Sequence, residues 1–192
     1  MRNDPVIIGL VGLPGAGKTT VTEYLEDHGY VRVILSDVIR EELVKRGVTE
    51  YTREILQNTG NEMRRSFGPA VLAKRAIHKL RAGGGGKFVI DGIRNSAEIA
   101  FLTRQKRFVL MGIIAPSRLR FKRLTKRKTN TLTATYKEFL VQEKRENALG
   151  AAATGLRVMD CLKKCNTLIE NDGTKKELIA KLMEVLKKEH IL

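Results

Sequence analysis

Apolar residues fill both faces of the run VIIGLVG, Val6–Gly12, and β-branched side chains dominate it. That pattern predicts a buried parallel strand rather than a half-exposed one. After a glycine-rich break, Val21, Tyr24, Leu25 and His28 recur at helical spacing and Gly29 supplies a stop. The alternation then repeats. YVRVILS, Tyr30–Ser36, reads as a second strand, followed by a helix over DVIREELVKRG that opens at Asp37. Two more helical stretches cover roughly Thr52–Ser66 and Pro69–Arg81. The glycines Gly83–Gly86 break the chain before a third strand, KFVIDGI, Lys87–Ile93. RFVLMGIIA, Arg107–Ala115, is the fourth strand, with helical sequence after it through about Asn147. NTLIEN, Asn166–Asn171, is the fifth, and a last helix starts with the capping box Thr174 and Glu177. Strands alternating with helices predict an α/β protein whose parallel sheet is covered on both faces. No internal repeat or long linker divides the chain, so residues 1–192 read as one domain.

The break after the first strand carries chemistry. Gly12, Leu13, Pro14, Gly15, Ala16, Gly17, Lys18 and Thr19 fill the pattern G-x-x-x-x-G-K-[ST], with Thr20 next, between a buried strand and an amphipathic helix. Glycines let the backbone curl around an anion with its N–H groups inward, and the new helix adds its positive end. Lys18 is placed to reach the β- and γ-phosphates of a nucleoside triphosphate, and the Thr19 hydroxyl to take Mg²⁺. A guanine-reading N-K-x-D is absent, as is the long glycine–glutamine signature of a transport ATPase. A ring-forming motor would normally be longer.

Charge narrows the picture further. The formal net charge is +15, and the block SRLRFKRLTKRKT, Ser117–Thr129, holds seven basic residues and no acid. A polyphosphate clamp, a nucleic-acid surface and a solvated basic face all fit that excess. Aromatics that would stack on bases are sparse, with Phe121 and Tyr136 isolated in the sequence, so nucleic acid is the less favoured partner. No apolar run approaches the ~20 residues that span a bilayer, and the N-terminal stretch lacks a cleavage site, so a cytoplasmic protein without a membrane partner is expected. Cys161 and Cys165 lie four apart with no histidine nearby and receive no role.

Arginines follow one strand end after another. Asp37 and Arg40 share a helix face after the second strand, Asp91 closes the third strand with Arg94 in the turn, and Arg120, Arg123 and Arg127 fall at i, i+3 and i+7 after the fourth. Phosphoryl transfer depends on positioning and positive charge around the transferred oxygens, and on keeping water out. A second phosphate-bearing substrate and an arginine-rich lid are the expectation. His28, His78 and His190 read as helix-face residues, so no histidine base is proposed.

Assembled, these residues make the chain resemble the P-loop nucleotide kinases, the group that contains adenylate kinase and dephospho-coenzyme A kinase. The resemblance implies a three-layer α/β/α fold with a five-stranded parallel sheet in the order 2-3-1-4-5. It also implies acceptor-binding helices over about 37–82 and a basic lid over about 123–146. It implies ATP and Mg²⁺ as cofactors, with Gly12, Gly15, Ala16, Gly17, Lys18, Thr19 and Thr20 holding the donor. Asp37 and Arg40 in SDVIRE, Arg64 in NEMRRSFGP and Arg94 in VIDGIR would line the acceptor site, and Asp91 would join Thr19 at the metal. RFKRLTKR and EKREN resemble the start and return of the lid, implicating Arg123, Arg127 and Arg145. IENDGT resembles the loop that packs on the donor adenine, implicating Asn171 and Gly173. The chain has Leu35-Ser36-Asp37 where adenylate kinases usually have Thr-Gly-Asp, and Asp91-Gly92-Ile93-Arg94 lacks their proline. It also lacks the proline–leucine segment of dephospho-coenzyme A kinases. A kinase for a nucleoside monophosphate or similar phosphorylated acceptor is therefore expected. An ATPase working with RNA or a ribonucleoprotein, and dephospho-coenzyme A kinase, are the alternatives.

Overall fold

A computed structural model describes residues 4–82, 86–126, 135–148 and 158–191 of the chain. Five strands, β1 (Val6–Val11), β2 (Tyr30–Ile34), β3 (Lys87–Asp91), β4 (Phe108–Ile114) and β5 (Thr167–Glu170), form one sheet in the order β2-β3-β1-β4-β5, every pairing parallel. This is the order expected. All six residues of β1 are buried, because the strand is central and helices cover both of its faces.

Side chains that alternate along β1 go to two separate cores. Ile7 and Val11 join the helices α2 (Leu35–Lys45), α3 (Arg53–Phe67), α4 (Val71–Ala82), α5 (Ser96–Leu102) and α8 (Val158–Leu162) on one face. Val6, Ile8 and Leu10 join α1 (Lys18–Asp27) and α9 (Lys175–Lys188) on the other. Leu178, Leu182 and Leu186 of α9 are buried at i, i+4 and i+8, each worth about 2 kcal/mol of transfer free energy. The remaining helices, α6 (Ser117–Lys126) and α7 (Tyr136–Ala148), pack on each other beside the phosphate loop.

Two expectations are corrected. The second strand ends at Ile34 and the helix begins at Leu35, two residues before Asp37. Leu35, Val38, Ile39 and Leu43 make one buried helical stripe, so Leu35 follows the helix period rather than the strand period. The helical sequence after the fourth strand comprises α6 and α7. The short helix α5 was not foreseen; Asn95 and Glu98 close it with a capping box. Among the described residues no helix is long and apolar enough to cross a membrane.

Candidate functional site

The turn from β1 into α1 places Gly15 at φ 77° and Gly17 at φ 112°, backbone angles that glycine alone adopts without strain. A Cβ on Gly12 would run into the Ile113 carbonyl, and one on Gly17 into the Asn171 amide. Gly17 caps α1 with no side-chain bond and the first turn carries no acid, so the helix leaves its N–H groups and its positive end for an anion. Lys18 Nζ donates to the Gly12 carbonyl at 2.6 Å. Burial lowers the Lys18 pKa, nearby Asp91 opposes that shift, and Arg94 adds to it.

This loop forms one wall of a cavity of about 770 Å³. Gly15, Gly17, Lys18, Thr19 and Thr20 line it. Gly12 and Ala16 do not: the first sits behind the loop against β4, and the second is 1% exposed in the core. Another part of the wall brings together Arg40 from α2, Arg64 from α3 and Arg94 from the turn after β3, with Ile34, Leu35, Ile39 and Leu56 as apolar lining. Asp37, expected beside Arg40, pairs with it but does not line the cavity. Gly60 is what lets α3 come this close, since a Cβ there would lie 2.8 Å from Ile39 Cδ1.

Two acids organise that wall. Asp91 accepts from the Gly92 N–H at 2.7 Å and from Arg32 Nη2 at 3.3 Å. Glu98, which sequence reasoning missed, is 0% exposed and holds three donors. Its Oε1 accepts from Arg64 Nη2, and its Oε2 from the backbone N–H groups of Arg94 and Asn95, each at 3.2 Å. One buried carboxylate thus ties the turn that carries Arg94 to the helix that carries Arg64. The signal was present as Asn95-Ser96-Ala97-Glu98, a capping-box spacing directly after the third-strand motif. Arg64 is 6% exposed and its Nε has no partner among the described residues.

On the lid side the expected basic face divides. Arg120 turns inward, gripping Glu143 with both terminal nitrogens and donating Nε to the Ala115 carbonyl, and so locks α6 to α7. Arg123 points the other way. It reaches the Gly15 carbonyl at 3.4 Å, Asn171 Oδ1 at 3.0 Å and the Gly173 carbonyl at 3.3 Å. Asn171 and Gly173, expected beside the donor base, both line the cavity, and Asn171, 5% exposed, gives its amide to the Ala16 carbonyl at 2.7 Å. Arg127 and the side chain of Arg145 lie outside the described residues. Phe121 and Tyr136, isolated in the sequence, meet in space: their centroids lie 5.5 Å apart, with Phe139 beside both and Arg118 over Tyr136. The rings pack against one another between α6 and α7.

Thr19 and Asp91 both line the cavity, a hydroxyl and a carboxylate of the hard oxygen type that Mg²⁺ takes. Among the described residues no cluster of three or more acids, histidines or cysteines forms a metal cage. The donor set therefore fits an ion that shares its shell with phosphate oxygens and water. The buried, unpartnered Arg64 Nε fits an anion at the arginine-lined part of the wall. Cys161 and Cys165 lie away from the cavity as free thiols.

Known proteins agree with this architecture. The AAA domain family AAA_18 matches residues 8–149. The UPF0200 protein of Thermococcus gammatolerans is 30% identical over 95% of this chain and 95% of its own length. The UPF0200/UPF0201 protein of Archaeoglobus fulgidus is 31% identical over 95% of this chain, which spans only 55% of that longer protein. Among solved structures, shikimate kinase from Acinetobacter baumannii in complex with shikimate superposes with a TM-score of 0.55 at 16% identity, covering 100% of this chain and 97% of that one. Such a likeness shows a P-loop kinase-like fold and not an activity. The chain carries an AAA domain on that fold and belongs to the UPF0200 family.

Proposed function

We propose that the protein is a Mg²⁺-dependent phosphotransferase that moves the γ-phosphate of ATP to a small acceptor bearing a phosphate, such as a nucleoside monophosphate. One observation carries the reading: a phosphate loop and three arginines from separate elements line the same cavity of about 770 Å³. The apolar stretch Ile34, Leu35, Ile39 and Leu56 supports an acceptor with an apolar body and an anionic end. Thr19 and Asp91 would hold the metal, which when bound neutralises charge on the phosphates and orients them. Lys18 would bind the β,γ-phosphates. Arg40 and Arg94 would hold the acceptor phosphate in line, and the orphaned Nε of Arg64 would supply a further donor. Arg123, next to the loop, is placed to meet charge on the transferring group. No general base is required when the attacking oxygen is already an anion.

The test is ADP release from ATP and Mg²⁺, with and without each of a panel of nucleoside monophosphates, their deoxy forms and dephospho-coenzyme A, with Lys18→Ala as the blank. Release that requires one acceptor supports the reading and names the acceptor. Steady release that no acceptor changes, or that RNA stimulates in a steeply salt-dependent way, replaces it with an ATPase.

A further inference from the structure

A phosphate loop presents its N–H groups only while the carbonyls of the same peptides are held elsewhere, because the two dipoles of a trans peptide point in opposite directions. The peptide between Ala16 and Gly17 leads into the Gly17 cap of α1, and Gly17 lines the cavity. Its carbonyl, that of Ala16, accepts from Asn171 Nδ2 at 2.7 Å, which turns the Gly17 N–H away from Asn171. The donor is itself fixed. Asn171 is 5% exposed, its backbone N–H bonds the Ile114 carbonyl at 2.7 Å, and its Oδ1 accepts from Arg123 Nη2 at 3.0 Å. Arg123 Nη1 also reaches the carbonyl of Gly15, one peptide earlier, at 3.4 Å. Gly17 closes the arrangement from the other side, since any Cβ there would displace the amide.

The geometry points to Asn171 as a positioning residue, backed by Arg123, that sets the tilt of the phosphate loop and so tunes affinity for the polyphosphate of the donor rather than for its base. This rests on the nucleotide-binding reading of the loop. It differs from a role in packing on the base, which the resemblance of IENDGT to the adenine loop of the P-loop nucleotide kinases implies.

Inorganic tripolyphosphate separates the two roles, because it has the phosphates and no base. Calorimetric titration of tripolyphosphate and of ATP, each with Mg²⁺, compares the full wild-type chain with Asn171→Ala and Asn171→Asp. Both variants are expected to weaken the two ligands by the same factor, about tenfold or more for Asn171→Asp, whose carboxylate would face the Ala16 carbonyl. Unchanged tripolyphosphate binding with weakened ATP binding places Asn171 at the base and overturns the inference, as does unchanged binding of both. If the wild-type chain takes up neither ligand, the nucleotide reading fails and this inference with it. Should thermal melts show both Asn171 variants unfolded, the shorter polar variant Asn171→Ser serves instead, and an equal loss for both ligands is again expected. No loss overturns the inference.

Discussion

Arg64 donates to Glu98 across 3.2 Å with the guanidinium side chain 6% and the carboxylate 0% exposed, so the pair is out of water on the wall of the cavity. Removing one partner leaves the other charged and unpaired, and Glu98→Ala is expected to cost about 3–5 kcal/mol in urea denaturation. A pH series tests the balance of forces inside the pair. Burial raises the Glu98 carboxyl above its ordinary 4.5, against the pull of Arg64 and of the Arg94 N–H. A carboxyl raised on folding contributes most below its unfolded pKa and loses that contribution as pH climbs through the folded value. The stability of wild type relative to Glu98→Gln should therefore fall as pH rises above 4.5. A rise instead would mean that Arg64 outweighs burial.

Arg40 is half-exposed on α2, bonded to Ser36 and Asp37 rather than to anything across the cavity. Its loss should be felt by one substrate only. Arg40→Ala is expected to raise the acceptor KM about tenfold or more while the ATP KM stays within about twofold. Equal effects on both would move Arg40 to the donor side.

Arg120 ties α6 to α7 through Glu143 and lies over the Phe139 ring at 5.6 Å. Arg120→Ala is expected to destabilise the chain by about 3–5 kcal/mol, and the double change Arg120→Met with Glu143→Leu by far less, since no charge is then stranded. A single-variant cost below about 1 kcal/mol would mean that water already screens the pair.

Burial pushes the thiol of Cys161 up to about 12 and that of Cys165 to about 11. At pH 8 the Cys165 thiolate is then about one part in a thousand, so native-state alkylation by iodoacetamide should be far slower than in urea. Labelling at the rate of a free thiol in the native chain would contradict the placement.

The sheet was readable because its inner strands β1, β3 and β4 are largely buried, and such runs leave a nearly unbroken apolar signature that glycines punctuate. The phosphate loop was readable because its motif is local: the glycines, Lys18 and Thr19 that carry its chemistry all fall within Gly12 to Thr19. What escaped depends on contacts across the fold. Arg120 and Arg123 belong to one basic block, and nothing in their neighbourhood tells that one faces Glu143 and the other Asn171. Arg32, in an edge strand, became meaningful only when β2 paired with β3 and set it beside Asp91. Glu98 sat inside a recognisable capping box, but seven helical residues are too few to show a period.

The split of the core across the sheet has an evolutionary consequence. Helices α2 to α5 and α8 rest on one face of the sheet, and α1 and α9, which flank the phosphate loop, rest on the other. No buried side chain belongs to both clusters, and β1, β3 and β4 send alternate side chains to each. A descendant can therefore repack one face while the packing behind the phosphate loop is inherited whole.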